Sequence, residues 1–194
     1  MSSMETEKGA VPTPQAPPVA PTDNKYRVVD VILRVLLLAA SIASVVLMVT
    51  SKQTEIIVSP LGSRPNAAKF QNSPAFIYLV AALSVAGLYS IITALVSLSY
   101  MMKPIVAPKL FWILLIHDVL LLGIVAAATG TAGGVGYIGL KGNTHVRWGK
   151  ICNVYDKFCR HVGASIIVSL FAAVVLVLLV FVNANSLYRR IPKY

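Results

Sequence analysis

Residues 110–135 read LFWILLIHDVLLLGIVAAATGTAGGV, a run from Leu110 to Val135 in which Asp118 is the only formally charged side chain. Crossing a hydrocarbon core of ~30 Å takes ~20 predominantly apolar residues in a helix. The run is long enough. A strand of a membrane barrel needs only ~10 residues and alternates in polarity, which this continuous stretch does not. In lipid the backbone must satisfy its hydrogen bonds within the segment, so the reading is a transmembrane helix. Three further runs of the same kind, about Val28–Val49, Ala75–Met102 and Val162–Leu187, make the fold class all-α: an integral membrane four-transmembrane-helix bundle.

Composition agrees with that reading. The chain of 194 residues is 57% hydrophobic and 12% charged, whereas a soluble domain carries roughly 25% charged residues. A formal charge of +10 raises the question of nucleic acid. The Lys and Arg residues, however, lie in short segments flanking the apolar runs, with no basic stripe or recognition motif. Membrane lipid is the expected partner of such charges, and no nucleic acid is expected.

The sequence divides into a Pro-rich tail (1–25), a membrane domain (26–188, helices about 28–49, 75–102, 110–135 and 162–187) and a short basic tail (189–194). Pro12, Pro14, Pro17, Pro18 and Pro21 give the first tail a disordered composition with two PxxP spacings, open to an SH3 or WW reader but more simply a solvated tail. No signal peptide is read at its start. Lys103, Pro104, Pro108 and Lys109 mark a tight turn between the second and third helices. Basic residues divide evenly between the two sides. Those on the terminal side, including Lys25, Arg27, Lys103, Lys109, Arg189 and Arg190, abut helix ends, which places both termini in the cytosol.

Two charges lie within the apolar runs, Arg34 in the first and Asp118 in the third, each at a cost of about 2.5–3.5 kcal/mol near mid-helix. Arg34 is about six residues beyond Val28 and Asp118 about eight beyond Leu110, so both sit on the order of 10 Å inside the same face. The spacing predicts an interhelical ion pair, with Asp30, four residues before Arg34, as rival partner or third member. The alternative is a channel or transporter, or a subunit of one, with Asp118 in a polar path. Against it, Asp118 is followed outward in its helix by Gly123, Ala126, Ala127, Ala128 and Gly130, which carry nothing. His117 is read as a neutral side chain bonded to a neighbouring helix. Tyr89 and Tyr100 are read as packing or interface residues.

Small residues recur at spacing four: Ala82, Ala86, Ser90 and Ala94 in the second helix; Gly123 with Ala127, and Ala126, Gly130, Gly134, in the third. Such faces let helices approach closely in lipid, within a chain or between chains. The glycines Gly133, Gly134, Gly136 and Gly139 read as fraying into a loop.

Two readings of residues 148–162 compete. Trp148, Ile151, Cys152, Tyr155, Phe158, Cys159 and Val162 fall at helical spacing, which allows an amphipathic extension of the fourth helix. A continuous helix would hold the Cα atoms of Cys152 and Cys159 roughly 10 Å apart, beyond the ~7 Å reach of a disulfide. An oxidising exterior favours a broken loop with an extracellular disulfide, with unbridged thiols as the next reading. Cys152, Cys159, His161 and His145 lack metal-ligand spacing, and no nucleophile has an oriented base and oxyanion site. Neither a metal, a cofactor nor an enzyme activity is expected.

An Arg early in the first helix, an Asp in the third and a Trp…Cys…Phe-Cys outer loop together resemble the Casparian strip membrane protein family of plants. The stretches RVLLLAASIASVVLMVTSKQT, FQNSPAFIYLVAALSVAGLYS and GNTHVRWGKICNVYDKFCRHVGAS resemble its broader CASP-like branch, and the likeness covers nearly all of residues 26–187. The resemblance implies a tetraspan plasma-membrane protein that assembles with itself (as a homodimer or larger) and with related four-helix proteins into membrane domains. In the founding members such domains recruit cell-wall enzymes that deposit lignin. Residues 56–75 depart from the founders' shared signature, so the implied role is a CASP-like scaffold elsewhere in the plant. The family's paired membrane charges fall on Arg34 and Asp118, and its outer-loop cysteines on Cys152 and Cys159.

Overall fold

A computed structural model describes residues 24–59, 62–102 and 108–189. Residues 1–23 of the Pro-rich tail, which hold its PxxP spacings, residues 103–107 of the tight turn and residues 190–194 of the basic tail lie outside the described residues, while Asn24 and Lys25 of that tail begin α1. The elements in chain order are α1 (Asn24–Val49), β1 (Lys52–Ser59), β2 (Gly62–Lys69), a 3-10 turn (Phe70–Asn72), α2 (Pro74–Met102), α3 (Pro108–Lys141) and α4 (Asp156–Tyr188). All four α-helices are long and apolar enough to cross a membrane. α2 and α3 each begin on a proline, where the missing N–H costs no intrahelical bond.

The helices form a ring in which α1 packs on α2 and α4, α3 packs on α4, and α2 and α3 share the least extensive contact. α1 and α3 are therefore diagonal to one another. The face that α1 turns inward comprises Asp30, Leu33, Arg34, Leu37, Ala40, Ser41, Ser44 and Met48, a recurrence of three and four residues that defines one helical stripe. Opposing stripes include Leu79, Leu83, Ala86 and Ser90 on α2, Asp118, Leu121, Val125 and Ala128 on α3, and Ser165, Ser169, Leu176 and Leu179 on α4.

Three sequence expectations are corrected. First, residues 50–74 are not only a polar connection: Lys52–Ser59 pairs antiparallel with Gly62–Lys69, from Lys52 opposite Lys69 to Ser59 opposite Gly62. A two-stranded hairpin is marginal alone, but this one is tied to the bundle. Gln53 Oε1 accepts from the Phe158 N–H at 2.9 Å, and the Tyr155 hydroxyl donates to the Asn66 carbonyl at 3.3 Å. Second, α3 does not fray at its glycines. It continues through Gly133, Gly134, Gly136 and Gly139 to Lys141, because three of them face α4 or the loop before it: a Cβ at Gly136 would lie 3.2 Å from Ile166 Cδ1, at Gly133 3.9 Å from Ile166 Cγ2, and at Gly139 3.9 Å from Cys152 Sγ. The helix stops at Gly142, whose φ of +70° and close approach to the Trp148 carbonyl exclude a side chain. Third, α4 begins at Asp156 rather than at about Val162; residues 148–155 form an irregular loop, the broken-loop reading of 148–162, with a bridge between Asn143 and Trp148.

Candidate functional site

At the end of the bundle that carries the termini, four helices contribute to one buried polar cluster. Its centre is Arg34, wholly buried, with three donors in use. Nε donates to Asp30 Oδ2 at 3.0 Å, Nη1 to Thr93 Oγ1 at 2.7 Å, and Nη2 to Asp118 Oδ2 at 3.4 Å. Asp118, also wholly buried, takes a shorter bond from Asn183 Nδ2, 2.6 Å, on the same oxygen. Asp30 Oδ2 accepts a second bond from the Ser97 hydroxyl at 2.8 Å. The Ser90 hydroxyl donates to the Arg34 carbonyl at 2.5 Å, and the Tyr89 ring centroid lies 5.9 Å from Arg34 Cζ.

Arg34 suits this position because its planar fork presents donors in several directions at once. The geometry reorders the partners. Asp30 is the closer carboxylate, while Asp118 lies at the long end of a charge-assisted bond, for which about 2.7–2.9 Å is usual. Asp30 is thus a full member, and the unit is a cluster of α1, α2, α3 and α4 rather than a two-helix pair. Oδ1 of Asp30 and Oδ1 of Asp118 are buried without a hydrogen-bond partner among the described residues.

Among the described residues, His117 makes its hydrogen bond within its own helix rather than to a neighbouring one. Its Nδ1 faces the Ile113 carbonyl of its own helix at 2.8 Å, and its ring stacks on Tyr89 of α2 with centroids 6.2 Å apart. The Tyr89 hydroxyl donates to the Leu114 carbonyl at 3.3 Å, joining α2 to α3. The side chain of Tyr100 lies outside the described residues.

A second, neutral layer lies nearer the hairpin end. The Ser44 hydroxyl faces that of Ser165 at 2.9 Å, and Thr129 donates to Ser169 at 3.1 Å. These hydroxyls let α1 and α3 each approach α4 with their polar atoms satisfied. They carry no charge, and none is linked to Asp118 by a hydrogen bond given by the structure.

At the hairpin end Cys152 and Cys159 form a disulfide with Cα atoms 5.6 Å apart, within the usual range. Breaking the helix at Asp156 makes this span available. The loop is fastened to α3 as well, since the Ile151 and Cys152 N–H groups both donate to the Gly139 carbonyl at 2.9 and 3.1 Å. Among the described residues no group of three or more His, Cys, Asp or Glu is placed to hold a metal ion.

The small-residue positions divide into two sets. On α2, Ala86 and Ser90 are buried in the core and Ala94 is half-buried. On α3, Gly123, Ala126, Ala127, Gly130 and Gly134 all point out of the bundle, and a Cβ at Gly123, Gly130 or Gly134 would meet nothing within 4 Å. Among the described residues, these α3 positions therefore do not pack against another helix of the chain. α3 is also the span least covered by its own bundle, with 28% of an apolar 18-residue stretch buried against 39% in each of the other three.

Comparison with known proteins gives one consistent result. The family described as Casparian strip membrane protein domain matches residues 23–175. CASP-like protein Ni6 of Beta vulgaris subsp. maritima is 97% identical over the whole of both chains. CASP-like protein 1D1 of Populus trichocarpa is 54% identical over 99% of each chain, and CASP-like protein 1D1 of Vitis vinifera 61% identical over 87% of this chain and 82% of its own. No solved structure matches the chain.

Proposed function

The chain belongs to the Casparian strip membrane protein family, and from that premise we propose that it is a non-enzymatic, self-associating scaffold of the plant plasma membrane, both termini cytosolic, that organises cell-wall-modifying partners. One observation carries the lateral part of this reading: α3 holds Gly123, Ala126, Ala127, Gly130 and Gly134 on an exposed face, and among the described residues a Cβ at Gly123, Gly130 or Gly134 would meet nothing within 4 Å. Lipid tails are as apolar as leucine, so close approach of two backbones along small residues supplies the packing that drives helix association. The buried cluster supports the scaffold in a different way. It occupies the charges in holding four helices together, which leaves the outer faces free for assembly.

The alternative, a channel or transporter using Asp118, requires a polar route to that carboxylate. The polar layer nearer the hairpin end consists of hydroxyls bonded to each other, and the cavity at that end does not include Arg34 or Asp118 among its lining residues. The scaffold is tested by photobleaching recovery of a tagged full-length chain at the plasma membrane, with stepwise bleaching of single particles after mild solubilisation. Slow, incomplete recovery and several bleaching steps per particle are expected. Rapid full recovery with single-step particles would refute the proposal.

A further inference from the structure

A cavity of about 560 Å³ lies at the hairpin end of the bundle, within the ~300–1,000 Å³ typical of small-molecule sites. Its walls are the last turns of α3 (Gly133 to Leu140), the second and third turns of α4 (Val162 to Ile167) and Phe76 at the start of α2. Residues 66–69 of β2 and the Cys152–Cys159 loop close it toward the hairpin. The α3 glycines leave room there that side chains would fill. The walls are predominantly apolar, and at the rim Tyr137, Leu140 and Ile167 are exposed on helices that span the membrane. With these helices read as membrane spans, the opening faces the lipid between the hydrocarbon core and the head groups. An acyl chain is the species in that medium able to fill the recess and recover the dispersion contacts an empty one forfeits.

The polar end of the occupant is specified separately. Among the described residues, Lys69 is the only charged side chain lining the cavity. It stands directly opposite Lys52 on the hairpin, an arrangement of like charges that is destabilising when left alone. Lys52 follows α1 and Lys69 precedes α2 by a few residues, so both ammonium groups sit at head-group level. A phosphate between them relieves the repulsion.

We propose that this cavity is a binding site for an anionic phospholipid of the leaflet at the hairpin end, with one acyl chain seated between α3 and α4 and the phosphate held by Lys69 and Lys52. The site is distinct from the buried cluster and from the small-residue face of α3, and it does not depend on self-association.

The test uses the full-length chain in nanodiscs of phosphatidylcholine doped with phosphatidylglycerol bearing a photoactivatable acyl chain, with adducts mapped by mass spectrometry. Adducts concentrated on the peptides containing residues 133–140 and 162–167, competed by unlabelled phosphatidylglycerol, are expected. Lys52→Gln with Lys69→Gln, both at exposed positions, should lower that adduct yield roughly thirtyfold, given about 1 kcal/mol for each cation near a head group. Gly163→Leu should abolish it: Gly163 lines the cavity, a Cβ there meets nothing within 4 Å, and the helix itself gains from losing a glycine. Retention of the Cys152–Cys159 disulfide and of the wild-type elution volume certifies the fold of each variant. Adducts spread along all four helices, equal labelling by a zwitterionic probe, or protection of these peptides by a second copy of the chain would each overturn the proposal.

Discussion

At the scale of single residues, Arg34 is the side chain on which the bundle depends most. Its guanidinium offsets two buried carboxylates and reaches α1, α2 and α3 directly. Removing one member of a buried charged set is strongly destabilising, about 3–5 kcal/mol, because it leaves the others uncompensated. Arg34→Ala should therefore abolish a monodisperse folded species in detergent, read by fluorescence-detected size exclusion. For an isolated pair, Arg34→Asp with Asp118→Arg would restore much of the loss. Here the swap places a carboxylate four residues from Asp30 and a cation against the Asn183 amide, so little recovery is expected. Asp30→Asn, Arg34→Met and Asp118→Leu together should fold, since apolar replacement of a whole buried ionic set is often neutral or stabilising. A folded, stable charge swap would show that the Asp30 and Asn183 contacts contribute little.

Arg34 and Asp118 stand out in the sequence because a charge in an apolar run has few explanations. The rest of the cluster was not legible in the same way. Thr93, Ser90 and Ser97 are ordinary residues in a membrane helix, where a hydroxyl can bond its own i−4 carbonyl, as Thr93 also does to Tyr89. Only the rotation of α2 about its axis decides that they face Arg34. Asn183 carried a usable signal, an amide inside the apolar run 162–187, and it belongs to the cluster through a 2.6 Å bond.

At the scale of elements, the first turn of α4 is built from other parts of the chain. Tyr155 offers no side-chain cap, and Gln53 of β1 supplies an acceptor to the Phe158 N–H from far away in sequence. The disulfide then fixes the loop to that same turn. Gln53→Ala should cost about 0.5–2 kcal/mol, the range for losing a helix cap, and should raise hydrogen exchange in residues 156–160 while leaving α1 and α2 unchanged. Cys152→Ala with Cys159→Ala should cost about 2–4 kcal/mol and lower the thermal midpoint of the purified chain. Uniform protection of α4 in both variants would mean that helix packing alone fixes its start.

The hairpin itself escaped the sequence because residues 52–69 read as a polar connection and contain Pro65. Pro65 is accommodated opposite Ile56 in a two-strand ladder, in which each strand is an edge and an edge N–H is dispensable. The end of α3 was hidden for a related reason. Glycine density reads as a break, yet in this chain Gly133, Gly136 and Gly139 are the price of close approach to α4 and the disulfide loop, and the helix runs through them.

At the scale of the whole molecule, the start of α1 and the end of α4 meet. Arg189 lies over the Tyr26 ring at 4.9 Å, so the start of α1 and the end of α4 leave the bundle side by side. An even number of spans puts both tails in one compartment, and the proposed cytosolic side has a direct check. Tags at either end should be quenched or digested only after the plasma membrane is permeabilised, whereas an epitope placed between Ser59 and Gly62 should be accessible on intact cells.

Assembly is the property that the isolated chain explains least through its own packing, and it is where two sets of small residues separate cleanly. A leucine at Ala86 enters a filled core, where overpacking costs about 1–3 kcal/mol, so Ala86→Leu should reduce folding and delivery. A leucine at Gly123 or Gly130 enters open space and improves helix propensity by about 1 kcal/mol, so the bundle should be as stable as wild type or slightly more so. If α3 is the contact between copies, Gly123→Leu with Gly130→Leu holds two backbones apart, and single-particle bleaching should shift to one step while the thermal midpoint is kept. Unchanged oligomers in that variant would move the interface off α3, because a close helix contact along that face cannot accommodate two added isobutyl groups.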